Sequence, residues 1–107
     1  MSSIEVILHP AAVAPNAIWV DDAKPCPEGC AVARTYDDAL RMMRRFMYDV
    51  LYLDHDLGRG PTGLDLLRAV KAEGRCPPRV VCISWNPVGR KAIEAELAAP
   101  HQREGTE

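Results

Sequence analysis

The chain has 107 residues, 48% hydrophobic and 26% charged, and 13 Lys+Arg against 15 Asp+Glu leave a formal net charge of -2. That length holds one domain and excludes a second, and the apolar fraction excludes a disordered chain. The near-neutral balance speaks against non-specific nucleic-acid binding, and no apolar run approaches the roughly 20 residues of a membrane span.

Residues Ile4-Glu5-Val6-Ile7-Leu8 form a short β-branched run ended by His9-Pro10, which reads as a strand. Met1 to Pro10 carries no positive charge ahead of that run, so no secretory signal is expected. The 4 Cys are therefore read as reduced thiols of a cytoplasmic protein. Pro10 and Pro15 bracket a linker. Ala17-Ile18-Trp19-Val20 is a continuous apolar run ending in Asp21-Asp22, the pattern of a strand buried on both faces.

Pro25, Pro27 and Gly29 keep the next stretch from being helical, and Ala31 to Ala33 reads as a second strand. The Asp22 to Cys30 connection is short for a parallel crossover. Either it crosses as a bare loop or the second strand runs antiparallel; the bare loop is the preferred reading. Thr35 caps a helix with Asp38 at its third position. Tyr36, Ala39, Leu40, Met43 and Met47 keep its inner face, and Arg41, Arg44 and Arg45 its wet face.

Val50 to Leu53 is a third buried strand ending in Asp54-His55-Asp56. After a glycine-rich loop from Leu57 to Pro61, Thr62 and Asp65 repeat the cap pattern and open a helix to about Ala72, with Leu64, Leu67 and Val70 inward. Gly74 and Pro77-Pro78 stop it. Val80 to Ile83 is a fourth buried strand, and Asn86-Pro87 starts a last helix that runs to about Ala98. His101 to Glu107 is polar and expected to be loose. Strands without alternation, joined by helices, predict a parallel sheet covered on both faces, with a ligand site beyond the strands' carboxyl ends.

Three strand ends then meet: Asp21-Asp22, Asp54-His55-Asp56 and Ser84-Trp85-Asn86. Carboxylates gathered without lysine or arginine between them repel, and a hard divalent cation with oxygen ligands relieves that. Asp21, Asp22, Asp54 and Asp56 are the candidate metal ligands, with Mg²⁺ (or Mn²⁺) as the cation. The period of two lets Asp54 and Asp56 share a side while His55 faces the other. The bland alternative is a set of loop acids and helix caps.

The helix opening at Asn86, Val88, Gly89 and Arg90 offers backbone N–H groups to a phosphate, and Lys24 reaches from the loop after the first strand. His55 suits proton transfer near neutral pH, or is a structural imidazole. Cys26 and Cys30, with Cys76 and Cys82, have the number for a zinc site, but a thiol inside a buried strand behaves as a small hydrophobe.

The segments WVDDAKPCPEGC, ARTYDDAL, LYLDHDLG, TGLDLL and SWNPVGR, in this order, resemble the cyclic-phosphate-processing receiver-like domain, a variant of the response-regulator receiver fold of bacteria and phages. The resemblance spans roughly Ile18 to Leu97. It implies a small three-layer α/β domain, flavodoxin-like, with a mostly parallel sheet of four to five strands. The first helix and the last strand–helix unit are lacking. Residues 17–99 would be the domain, 1–16 an N-terminal strand and linker, and 100–107 a tail.

By position, Asp21 and Asp22 match the family's acidic pair, Asp54, His55 and Asp56 its Asp-His-Asp motif, and Ser84, Asn86 and Gly89 the segment after the fourth strand. The implied activity is metal-dependent hydrolysis of a cyclic phosphate on a nucleotide or ADP-ribose-type small molecule, with Asp54, His55 and Ser84 as catalytic residues. Ile83 stands where the family has His, Lys24 where it commonly shows Arg, and Cys30 where it shows Trp.

Two alternatives stay open. One is a signalling receiver phosphorylated on Asp54, although neither a fifth strand nor its lysine is evident. The other is an inactive binding or assembly module. The strand at Ile4 to Leu8 would then fill the open sheet edge or pair with a second copy of the chain.

Overall fold

A computed structural model describes residues 16–99. The strand expected at Ile4 to Leu8, the dimer contact suggested for it, and the tail from 100 to 107 lie outside the described residues.

Four strands, β1 (Ala17–Val20), β2 (Cys30–Ala33), β3 (Val50–Leu53) and β4 (Arg79–Cys82), form one sheet in the order β2-β1-β3-β4. Every neighbouring pair is parallel. The preferred reading of the first connection therefore holds: the proline-containing loop crosses without a helix. The order matches the first four positions of a receiver-like 2-1-3-4-5 sheet, and no fifth strand is found among the described residues. The chain moves outward from β1 to β2 and then returns to place β3 on the other side of β1. That reversal opens a crevice at the carboxyl ends of β1 and β3.

Helices α1 (Tyr36–Arg45), α2 (Gly63–Ala72) and α3 (Pro87–Ala98) fill the crossovers. Their N-caps are the expected ones. Thr35 accepts from Asp38 N–H, Thr62 and Asp65 form a reciprocal capping box, and Asn86 accepts from Val88 and Gly89. All three helices bury against one face of the sheet. Ala39 and Met43 of α1, Leu66, Leu67 and Val70 of α2 and Ile93 of α3 join Ile18, Val20, Leu51 and Leu53 in one core. The opposite face carries a smaller cluster of Ala17, Val50, Tyr52 and Val81, flanked by Trp19, Cys30 and Ile83.

Four details differ from expectation. The described residues form two layers, not three, because the connection that would carry a helix to the second face is a bare loop. α1 ends at Arg45: Phe46 is already extended, and Met47 is 68% exposed as the chain turns back towards β3. In α2, Leu66 is fully buried beside Leu67, whereas Leu64 is only half-buried. β4 starts at Arg79 and is buried only at Val81, since no strand among the described residues flanks its outer edge.

Leu67→Ala is expected to cost about 2–5 kcal/mol by removing buried methyl groups from this core. Val88→Ala, at a position 77% exposed, should stay within about 0.5 kcal/mol. Urea unfolding midpoints check both.

Candidate metal and phosphate site

The sheet register assembles the site. Val20 lies opposite Leu53 in β1 and β3, so Asp21 and Asp54 occupy the next rung of the ladder. The hydrogen bond from Asp54 N–H to the Val20 carbonyl, at 3.0 Å, extends the pairing to that point. Asp22 follows one residue on. Carboxylate oxygens of Asp21, Asp22 and Asp54 come within 4.8 Å of one another, with Asp21 and Asp54 buried and Asp22 exposed. This is the only such acidic, His or Cys group of three among the described residues, so the four cysteines build no metal site there.

The carboxylates are not left without a cation, which corrects the expectation. Lys24 folds back from the β1–β2 loop, and its ammonium lies 3.8 Å from both Asp21 Oδ1 and Asp54 Oδ1. It donates to the Ile83 carbonyl at 2.7 Å and sits 4.8 Å from the centre of the Trp85 ring. The loop is held in this return by Asp21 Oδ2, which accepts from the backbone N–H groups of Ala23 and Lys24. Arg34 braces it from β2, donating to the carbonyls of Asp21 and Lys24.

The two buried acids divide one proton unevenly. Burial pushes the Asp54 carboxyl up, a hydrogen bond with Asp21 pushes the same way, and together they outweigh Lys24 and a bond from the Ser84 hydroxyl; the result is about 6. Burial also pushes Asp21 up. There the hydrogen bonds from Asp54, Lys24 N–H and Ala23 N–H, with the lysine charge, prevail and hold it below the ordinary carboxylate value. Below a pH of about 6, therefore, Asp54 carries the proton and donates it to ionised Asp21.

Two close approaches fix the neighbouring residues. Gly63 N–H donates to the His55 carbonyl at 2.7 Å, and a Cβ on Gly63 would overlap the Asp54 carbonyl. A Cβ on Gly89 would overlap the His55 ring, so glycine in the first turn of α3 makes room for the imidazole. His55 Nδ1 pairs with Asp56 Oδ1 at 3.1 Å. Asp56 thereby stands with His55 and outside the cluster of the other three acids, not on the Asp54 side as the alternation in a strand implied. The chain has left β3 after Leu53 and turns here, so strand alternation no longer applies.

Ser84 is fully buried, and its Oγ also accepts from Asn86 N–H. The first-turn N–H groups expected to face a phosphate are occupied: Asn86 Oδ1 accepts from Val88 and Gly89. Arg90 turns to the Cys82 carbonyl and to Glu94. The structure therefore brings together Asp21, Asp22, Lys24, Asp54 and Ser84, pairs His55 with Asp56 against the start of α3, and directs Arg90 to Cys82 and Glu94. Arg34 escaped the sequence reading. Its signal was the parallel partnership of Val20 with Ala33, which puts Arg34 across from Asp21 only once the strand order is known.

The carboxylate atoms of the cluster are hard oxygens, a donor set that suits a hard divalent cation rather than a soft metal. Their spacing fits one small cation, and Lys24 already occupies the same negative field.

The sequence profile of a family described as "Cyclic-phosphate processing Receiver domain" matches residues 16–99. No curated protein matches the chain. A solved structure titled as the yeast Spc42 trimeric coiled coil, amino acids 181–211, fused to another structure, is similar in fold with a TM-score of 0.56 at 18% identity. The likeness covers 75% of this chain and 59% of that one. Among the described residues no helix is long and apolar enough to cross a membrane.

Two outcomes follow from the geometry. Asp54 is raised from its ordinary 3.8 to about 6, so the folded state binds its proton more tightly than the unfolded chain. Its contribution is full below pH 3.8 and is lost as pH rises through 6. Asp21 is shifted the other way, and its contribution is lost only on acidification below its ordinary 3.8. In chelator, the wild-type melting temperature should therefore fall between these pH values relative to Asp54→Asn, which lacks the titrating proton. Gly89→Ala should cost about 1–3 kcal/mol through the displaced imidazole, read by urea unfolding.

Proposed function

The chain belongs to the cyclic-phosphate processing receiver domain family, and on that footing we propose that it hydrolyses a cyclic phosphate on a nucleotide or ADP-ribose-type small molecule. The observation that carries this reading is the convergence of Asp21, Asp22 and Asp54 within 4.8 Å at the sheet's carboxyl edge, with Lys24 beside them. Asp21, Asp22 and Asp54 hold the divalent cation, Mg²⁺ or Mn²⁺. When bound, that ion supplies charge neutralisation and Lewis-acid polarisation of a phosphoryl oxygen.

The chain's own residues do the rest. Lys24, held by the Ile83 carbonyl, would exchange its carboxylate partners for a phosphate oxygen of the substrate. Ser84 keeps the Asp54 carboxylate in place from below. Hydrolysis forms one bond from a water oxygen to phosphorus and breaks one ring P–O bond, whose electron pair leaves with the ester oxygen. His55, oriented through Nδ1 by Asp56, accepts the water's proton on its other nitrogen and returns it to that leaving oxygen.

A second reading has a specific observation in its favour. A signalling receiver needs a lysine beside its acceptor aspartate and a hydroxyl near it, and Lys24 and Ser84 supply both to Asp54 without a fifth strand. A small phosphodonor would then add a phosphoryl group to the wild-type protein, visible as a mass increase lost in Asp54→Ala.

Phosphorus NMR of a panel of nucleoside 2′,3′-cyclic phosphates and ADP-ribose cyclic phosphate should show ring opening that needs Mg²⁺ or Mn²⁺ and stops with chelator. Asp54→Ala should abolish it, and Lys24→Met should lower kcat/KM by about 100-fold, the scale of losing one transition-state charge contact. Turnover of no panel member, or full turnover by Asp54→Ala, would overturn the proposal.

A further inference from the structure

Trp85 is 85% exposed, the most solvent-exposed of the large hydrophobic residues among the described residues. The residues on either side of it are anchored. Ser84 is buried and bonded to Asp54, Asn86 caps α3, and Asn86 N–H donates to Ser84 Oγ at 3.1 Å. The indole is thus presented to solvent by a rigid β4–α3 connection, not by a loose loop. A tryptophan kept in water forgoes the largest apolar burial available to any side chain, and proteins generally place such rings at interfaces or ligand sites.

Its neighbours say what kind of ligand fits. The ring lies 4.8 Å from the Lys24 ammonium, and that ammonium is 3.8 Å from the Asp54 carboxylate. The aromatic surface therefore begins where the metal and phosphate site ends. Val88, 77% exposed in the first turn of α3, adds apolar surface three residues further along the chain. Side by side stand a site for a cation and a phosphate and a flat apolar platform. A ligand that uses both is an anion with a planar aromatic group one sugar's length from its phosphate.

We propose that Trp85 is the specificity platform of this site, stacking the base of a nucleoside cyclic phosphate and so selecting it over cyclic phosphates without an aromatic ring. The inference rests on the reading of the site given above. It adds a residue that reads the substrate away from the reacting phosphate. Stacking is tolerant of base identity because every base presents a π face, so purine and pyrimidine nucleotides are both accepted.

The test compares adenosine 2′,3′-cyclic phosphate with ribose 2,3-cyclic phosphate, which has the same ring phosphate and no base, on the full chain with Mg²⁺. Affinities are measured by calorimetry for wild type, Trp85→Ala and Trp85→Phe. Wild type should prefer the nucleoside compound. Trp85→Ala should reduce that preference about 5- to 150-fold, the loss of one base–aromatic stack, and Trp85→Phe should restore much of it. An equal loss for both ligands would overturn the platform, since it would mean that the ring acts only by placing Lys24. An unchanged preference in Trp85→Ala would overturn it while leaving the phosphate site standing. Binding of neither ligand by wild type would overturn both. A dimer in solution that dissociates in Trp85→Ala, with ligand preference unchanged, would assign the indole to a contact between copies of the chain and overturn the platform.

Discussion

Two carboxylates share one rung of a parallel ladder, and the rest of the site is arranged around that fact. Register alone puts Asp21 beside Asp54 once β1 and β3 pair through Val20 and Leu53. At this separation, in partly buried surroundings, two full negative charges would repel by on the order of 3–4 kcal/mol. The protein lowers that repulsion in several ways at once. Below a pH of about 6 Asp54 keeps its proton, an ammonium is brought to 3.8 Å from both, and two backbone N–H groups and a hydroxyl are turned towards the pair. Together they do not cancel the negative charge of the three acids. The field that remains is what makes the position attractive to a small, hard cation.

The short β1–β2 connection takes its meaning from the same constraint. A helix in that crossover would cover the second face of the sheet and carry the chain away from the strand ends. The proline-containing loop instead turns back at once on Asp21, which places Lys24 over the acids, and Arg34 from the end of β2 ties the turn down. Among the described residues no fifth strand brings a phosphate-holding lysine to Asp54. Lys24, from the loop after β1, stands 3.8 Å from that carboxylate instead. The two glycines Gly63 and Gly89 complete the arrangement, because only without a Cβ can the openings of α2 and α3 press against the Asp54-His55 turn.

Much of the fold was legible from the amino-acid order. Unalternating runs ending in acid marked β1 and β3, Thr35, Thr62 and Asn86 marked the helix starts, and the acids at the strand ends marked the edge to look at. Other features were not. The fate of Met47 depended on how sharply the chain must turn to begin β3, and the partial burial of β4 on the absence of a flanking strand among the described residues. Asp56 and Arg90 lie away from the three clustered acids for one reason. Period-two and first-turn arguments presume regular structure, whereas Asp56 lies just beyond its strand and Arg90 found nearer acceptors in Cys82 and Glu94.

By itself, then, the sequence determined the elements, their parallel character and the set of acids at one sheet edge, because these follow from local hydrophobic pattern and capping chemistry. Only the tertiary structure decided that Lys24 and not an empty space lies between Asp21 and Asp54. It likewise decided that the first-turn amides of α3 are already capped, and that Trp85 is presented to water beside the site. Each of these depends on distances between residues remote in the chain, such as the 2.7 Å from Lys24 Nζ to the Ile83 carbonyl. Such distances are set by strand order and register, which no short stretch of residues encodes.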